Sequence, residues 1–240
     1  MSLAEAAELL AWSPPGWGAV LAAGLVNSLA IAAGAYGLGL AIGTGGALGK
    51  LYGGPVARDL LAVYTTVVRA VPELVLILIL YFGVIGPLNG WLEGSGLGGL
   101  QLSGVGAGIL VLGVVQGAYA TEVLRGAILA VPPGQIEAAR AMGMPPALLA
   151  RRITLPAMTA FALPGLANLW LIATKDTALL AVVGFAELTQ VTRQAAGTTK
   201  AYFTFFVAAG ALYLLVSLVS GAVFAGLERR ARRGQPSVAR

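Results

Sequence analysis

The sequence predicts an all-α integral membrane protein with about five transmembrane helices, on three observations. Apolar residues make up 58% of the 240 residues and charged residues only 10%, against roughly 45–50% and about 25% in a soluble domain. Mean hydropathy is +0.86. The few charges leave long uncharged runs, each near the ~20 residues a helix needs to cross ~30 Å of hydrocarbon. A soluble globule of this size would have to hide more apolar surface than one core can hold, and disorder is excluded by the same composition. The 34 glycines, about twice the usual ~7%, suit close helix packing in lipid. Nothing in the composition marks a second domain, so residues 1–240 read as one transmembrane unit.

The spans follow from the charge gaps. Residues 9–49 are uncharged, and Pro14-Pro15 breaks the run early, giving a first span over about 18–47. The gap 74–92 follows Arg69 and Glu73, so the second span is expected over about 58–83 with those charges inside it. Residues 94–121 are uncharged, but Gly94 to Gly99 reads as loop, and the third span is about 103–129. Residues 153–174 and 201–227 give a fourth span over about 157–180 and a fifth over about 201–227. Residues 3–12 read as a short amphipathic helix before the first span, and the acidic Glu5 and Glu8 there are the reverse of a secretory signal.

Five spans put the two termini on opposite sides. Lys175, Arg193 and Lys200 fall on the side of the N-terminus. Lys50, Arg58, Arg125, Arg140, Arg151, Arg152, Arg229, Arg230, Arg232, Arg233 and Arg240 fall on the other. Eleven basic residues against three predict a cytoplasmic C-terminus and an external N-terminus. The net charge of +5 is thus read as topology, not as nucleic-acid binding. Cysteine and histidine are both absent, so disulfides, thiolate metal sites, Cys nucleophiles and His general bases are excluded. Residues 43–50 superficially suggest a phosphate loop, but Thr44 stands where the first Gly is needed and Leu51 where Ser or Thr is needed, so no ATP site is expected here.

The loop between spans three and four, 131–156, is the most specific feature. Gln135 to Met142 reads as a short helix that Gly143 can end in the left-handed conformation. Pro145 and Pro146 suit the first turn of a second short helix, which Pro156 is expected to end. Ile136, Ala139 and Gly143 share one face. On spacing alone the loop could equally be a basic segment that only sets topology. Its pattern, Glu137-Ala138-Ala139, then Gly143, then Ile153 and Leu155-Pro156, resembles the EAA loop of binding-protein-dependent ABC importer permeases. Three flanking segments narrow the resemblance: Val68-Arg69 with Pro72-Glu73; Gly117, Tyr119, Glu122, Arg125 and Gly126; and Asn168 with Lys175-Asp176-Thr177. Together they look like the polar amino acid permease subfamily, above all the histidine/lysine/arginine/ornithine and opine permeases. Ala70 departs from the Gly usual there.

The resemblance, which covers about residues 18–230, implies a type I ABC importer permease fold in a bacterial inner membrane. It implies ATPase coupling through Gln135, Glu137, Ala138, Ala139, Met142 and Gly143. It also implies four partners: a second permease subunit, expected to be a homologous different chain; a cytoplasmic ATPase dimer holding ATP and Mg; an extracytoplasmic binding protein; and an amino acid substrate. This chain itself is expected to hold no cofactor and to perform no covalent chemistry.

The polar residues inside the spans each admit two readings. Arg69 and Glu73, four apart, can pair as a structural lock on one helix face, or Glu73 can line a pathway and meet a cationic substrate. Gln116, Tyr119 and Asn168 can be pathway groups or interhelical glue. Lys175, Asp176 and Thr177 can line the pathway or be a solvated helix end. Glu122 and Arg125 read as an interfacial salt bridge. Gly39-x-x-x-Gly43, Gly104-x-x-x-Gly108 and Gly113-x-x-x-Gly117 read as close-packing patterns, and the Arg cluster at 229–233 as a membrane stop contacting anionic lipid. The rival functions are a stand-alone carrier or channel, which lacks an evident coupling-ion site, and a non-transporting scaffold. Neither accounts for the loop.

Overall fold

The computed structural model describes residues 3–96 and 103–232. Arg233 and Arg240, counted above for topology, lie outside the described residues, as does the end of the loop expected from Gly94 to Gly99. The described chain is helical throughout: α1 Leu3–Leu9, α2 Gly18–Tyr52, α3 Pro55–Ala70, α4 Glu73–Leu80, a π turn Tyr81–Ile85, α5 Gly86–Gly94 and α6 Gly104–Leu129. There follow α7 Pro133–Ala141, α8 Pro146–Leu149, a π turn Ala150–Thr154, α9 Leu155–Asp176, a 3-10 stretch Thr177–Val183, α10 Leu188–Thr199 and α11 Tyr202–Ala231. Five stretches among the described residues are long and apolar enough to cross a membrane: Gly18–Tyr52, Glu73–Gly94, Gly104–Leu129, Pro146–Val183 and Tyr202–Ala231.

Two of these differ from the sequence expectation. The helix expected over 58–83 is broken. Val71 is extended (φ −94°, ψ 136°) because a residue before proline is pushed out of the α region, and Pro72 has no N–H to continue the ladder. The chain splits there into α3, with Arg58, Asp59 and Arg69 on it, and an uncharged continuation from Leu74 to Leu92. The second correction concerns 131–156. The fourth long helix starts at Pro146 rather than near 157, and Pro156 does not end a helix. Proline's missing N–H and its ring's clash with the carbonyl four residues back normally break a helix. Here the π turn Ala150–Thr154 sits directly before it and absorbs the defect by widening the helix.

Helices α2 and α6 form the spine. Their small-residue stripes meet: a Cβ added at Gly43 would lie 2.5 Å from the Ala120 Cβ, and one at Gly117 would lie 2.7 Å from Ile42. Close approach of this kind is how helices associate where lipid supplies no hydrophobic drive. The spine explains why Ala35, Ala107 and Ala118 are fully buried while large apolar residues such as Phe203 and Leu218 face outward. Toward the N-terminal end of α6, Ile31, Ile77, Leu112, Leu180 and Phe185 pack into one cluster. Toward its C-terminal end, Ala47, Leu124, Ala127, Val131 and Met158 form another. Polar groups tie further pairs of helices: the Tyr36 hydroxyl donates to the Leu166 carbonyl at 3.2 Å, and the Trp170 indole to Ser220 Oγ at 2.9 Å. Helix α10 sits over the start of α2, and Phe205 of α11 closes that corner against Leu21 and Leu188.

Candidate functional site

The break between α3 and α4 places charged side chains where a continuous helix would not. Arg69 lies in the last turn of α3 and Glu73 begins α4. The i, i+4 pairing expected for them requires unbroken helix, and it is replaced by contacts to α6. The Tyr119 hydroxyl donates to Glu73 Oε1 at 3.0 Å, and the Arg69 guanidinium lies over the Tyr119 ring, 5.9 Å from its centroid, within cation–π range. Across the same space, Gln116 Nε2 donates to Asp176 Oδ2 at 3.3 Å. Asp176 lies within electrostatic range of both Glu73 and Lys175. Six residues from four helical segments, Arg69, Glu73, Gln116, Tyr119, Lys175 and Asp176, therefore converge at the level of Gln116, the middle of α6.

The cluster is not closed. Gln116 is 2% exposed, and its Oε1 has no hydrogen-bond partner among the described residues. The bond to a carboxylate assigns Nε2 to Asp176, which leaves the carbonyl as a buried acceptor. Arg69 and Lys175 are exposed, and Glu73 and Asp176 are half-buried, so the polar groups reach one open side of the bundle. Asn168 and Thr177 do not join them. Asn168 is exposed on α9 two turns earlier, and Thr177 is buried with its hydroxyl donating to the Thr174 carbonyl at 2.8 Å.

At the C-terminal end of α6 a second polar group ties three helices. Lys50 Nζ is 2.5 Å from Glu122 Oε1 and 2.7 Å from Thr65 Oγ1, and Arg125 is 2.8 Å from Glu122 Oε2. The sequence reading found the Glu122–Arg125 half and used Lys50 only for topology. Residues 43–50, which fail the phosphate-loop template, lie inside α2, where backbone N–H groups are bound within the helix.

Beyond α6 the chain turns into α7. Ala139 is buried, and Ile136 packs on the cluster of Leu124, Ala127 and Met158. Gln135, Glu137, Ala138, Met142 and Gly143 are exposed, Met142 to 84%. Gly143 has φ +75°, the left-handed value that ends the helix at little steric cost only for glycine. The apolar side of α7 is thus spent on the bundle, and the rest of its surface is free.

Sequence reasoning missed Glu187. It is fully buried between α2, α10 and α11. Its carboxylate accepts from the Thr189 and Gln190 backbone N–H groups at 2.8 and 2.7 Å, from Tyr213 Oη at 3.1 Å and from Ser28 Oγ at 3.3 Å. Burial pushes its pKa up from the ordinary 4.5, against the opposing pull of those four donors. The available signal was an acidic residue directly before Leu188-Thr-Gln, the position of a helix N-cap.

The chain matches the binding-protein-dependent transport system inner membrane component family over residues 37–233. It belongs to that family. It is 44% identical over 231 residues to the nopaline transport system permease protein of Agrobacterium fabrum, covering 94% of this chain and 97% of that protein. It is 39% identical over 215 residues to the histidine/lysine/arginine/ornithine transport system permease protein of Escherichia coli, covering 90% and 94%. Its fold matches a crystal structure of an amino acid ABC transporter with histidines at a TM-score of 0.76 and 29% identity, covering 89% of this chain and 95% of that one. The protein is therefore a permease subunit of a binding-protein-dependent ABC importer, located in the inner membrane and working with other components of such a transporter. The type I importer permease fold read from the EAA-like loop is the fold observed.

Proposed function

We propose that this permease imports an amino acid or opine carrying a cationic group, and that the midspan cluster is its pathway. The observation that carries this reading is the buried Gln116 Oε1, without a partner among the described residues, beside two carboxylates, Glu73 and Asp176, with Arg69 and Lys175 at the edge. An ammonium or guanidinium donor answers the free amide oxygen and both carboxylates, and Arg69 or Lys175 answers the substrate carboxylate. Transport systems for nopaline and for histidine, lysine, arginine and ornithine among the relatives support a substrate of this kind. Thr177 and Asn168, expected in the pathway from sequence, serve it less directly: one is committed to a backbone carbonyl and the other stands two turns away.

The partners follow from α7. Its free surface, with Gln135, Glu137, Ala138, Met142 and Gly143 on it, suits docking in a groove of a cytoplasmic ATPase, and Ala139 anchors the helix to the bundle. ATP and magnesium belong to that partner, and this chain performs no covalent step. Closure of an ATPase dimer would move α7 as a lever and switch two packings of the spans, biased by ligands bound elsewhere. A second, homologous permease subunit would face the open side of the cluster, and a binding protein would deliver substrate from outside. In this reading α7 and the C-terminus are cytoplasmic and the N-terminus is external, as the basic-residue bias argues.

The test is a pulldown of the tagged chain from detergent with mass spectrometry. The wild-type chain should bring down an ATPase subunit. Glu137→Lys should lose it while leaving a folded permease by gel filtration. A chain that purifies alone, with no effect of the mutation, would return the loop to a merely topogenic role.

A further inference from the structure

A cavity of about 350 Å³ opens beside α7, within the roughly 300–1,000 Å³ range of small-molecule sites. Leu48 and Tyr52 of α2, Ile128 of α6, and Leu149 and Met158 wall it, and Arg140 of α7 stands in its lining. The π turn that absorbs Pro156 contributes Ala150 and Thr154 to the same wall, and π turns of this kind gather at functional sites. Arg140 is exposed and enters no ion pair or side-chain hydrogen bond among the described residues. At 3.6 residues per turn it lies about 40° from Ile136, which packs on the bundle, and about 60° from the exposed Glu137 and Gly143, so it stands at the border between the two faces of α7.

We propose that this cavity holds an acyl chain of an anionic phospholipid whose phosphate rests on Arg140. Charge complementarity selects the headgroup. Arg140 is the charged residue in the lining of an otherwise largely apolar slot, and among the described residues it has no ion-pair partner. Guanidinium binds phosphate through paired N–H donors. The position selects a lipid over a soluble anion. Tyr52 ends a membrane span at 72% exposure and Leu155 on the rim is 52% exposed, so the slot opens at the level where aromatic residues meet headgroups. The lipid would wedge α7 against the ends of α2, α6 and α9. Occupancy would thereby stiffen the lever on which ATPase coupling depends. This rests on the cytoplasmic placement of α7 proposed above, where anionic lipid is abundant.

The experiment uses the complete transporter, purified and examined by native mass spectrometry, then reconstituted in nanodiscs. One set is phosphatidylcholine alone and the other adds a minor share of phosphatidylglycerol. The wild type and Arg140→Lys should retain phosphatidylglycerol through purification, and binding-protein-stimulated ATP hydrolysis should rise several-fold with that lipid. Arg140→Gln should lose the retained lipid and the stimulation, whereas Arg151→Gln, outside the lining, should keep both. A photo-crosslinking residue at Leu155 should capture lipid. Equal retention by the wild type and Arg140→Gln would overturn the proposal. So would a Leu155 crosslink to the ATPase, which would make the slot part of that contact. Failure of the ATPase to co-purify would overturn the function proposed above, and lipid retention by the permease alone would still be read separately.

Discussion

The side chains that matter most here are carboxylates held away from water, and the two kinds behave differently. Glu187 is satisfied by four donors on three segments, so its removal strands buried groups, each of which costs about 1–3 kcal/mol. Glu187→Ala is expected to destabilise the detergent-solubilised protein by about 3 kcal/mol, read as a large fall in thermal midpoint by intrinsic fluorescence. Glu187→Gln should lose much less. The pH dependence follows from the raised pKa of Glu187. Between the ordinary value and the raised one the folded state binds more protons than the unfolded, so stability falls as pH rises through that window. Glu187→Gln should flatten that fall, and an unchanged slope would remove Glu187 as its source. Glu73 is different: its Oε1 has one donor, the Tyr119 hydroxyl, and the rest of its capacity faces the open cluster. Glu73→Gln should therefore leave assembly intact and lower uptake of a cationic amino acid in proteoliposomes about tenfold, the equivalent of about 1.4 kcal/mol. Uptake within twofold of wild type would make Glu73 structural.

At the scale of elements, α7 shows what a local pattern can and cannot reveal. Its bounds and its glycine stop were legible because each rests on residues within one or two turns, whereas the burial of Ala139, expected among the coupling residues, depends on what α7 packs against. What is free on its surface makes the next prediction. Met142, at 84% exposure, is an apolar side chain with no reason to be in water, and Met142→Ala should weaken ATPase binding about tenfold (about 1.4 kcal/mol) with the permease fold unchanged. Surface-immobilised permease titrated with ATPase would measure it, and unaltered affinity would exclude Met142 from the contact. The broken second span was less legible. Pro72 was visible, but a proline inside an apolar run is compatible with a kinked helix as well as with a break. The choice depends on Tyr119 of a distant helix receiving Glu73. The π turn before Pro156 was invisible for the same reason: whether a proline ends a helix or is absorbed depends on what packs around the defect. The Glu187 network joins residues up to 185 apart in sequence, from Ser28 to Tyr213, and no short pattern reports it.

For the whole molecule, the uncharged runs and the glycine stripes were enough to read a bundle of spans, because lipid forces every backbone group into helix. Orientation is a separate matter, decided by where the basic residues end up, and the helix boundaries sharpen the argument. With Arg69 near the end of α3 at the midspan cluster and the fourth long helix beginning at Pro146, Arg140, Arg151 and Arg152 gather at the same end of the bundle as Lys50 and Arg125. Lys200, in the turn between α10 and α11, is at the other end. The chain has no cysteine, so single cysteines can be introduced without background. In right-side-out vesicles a membrane-impermeant maleimide should label Thr198→Cys, an exposed position on α10, and should reach Ala141→Cys only after the membrane is permeabilised. Ala141 is exposed on α7, so protection there reports the membrane rather than burial. The reverse pattern would place α7 outside, and a cytoplasmic ATPase could then not be its partner.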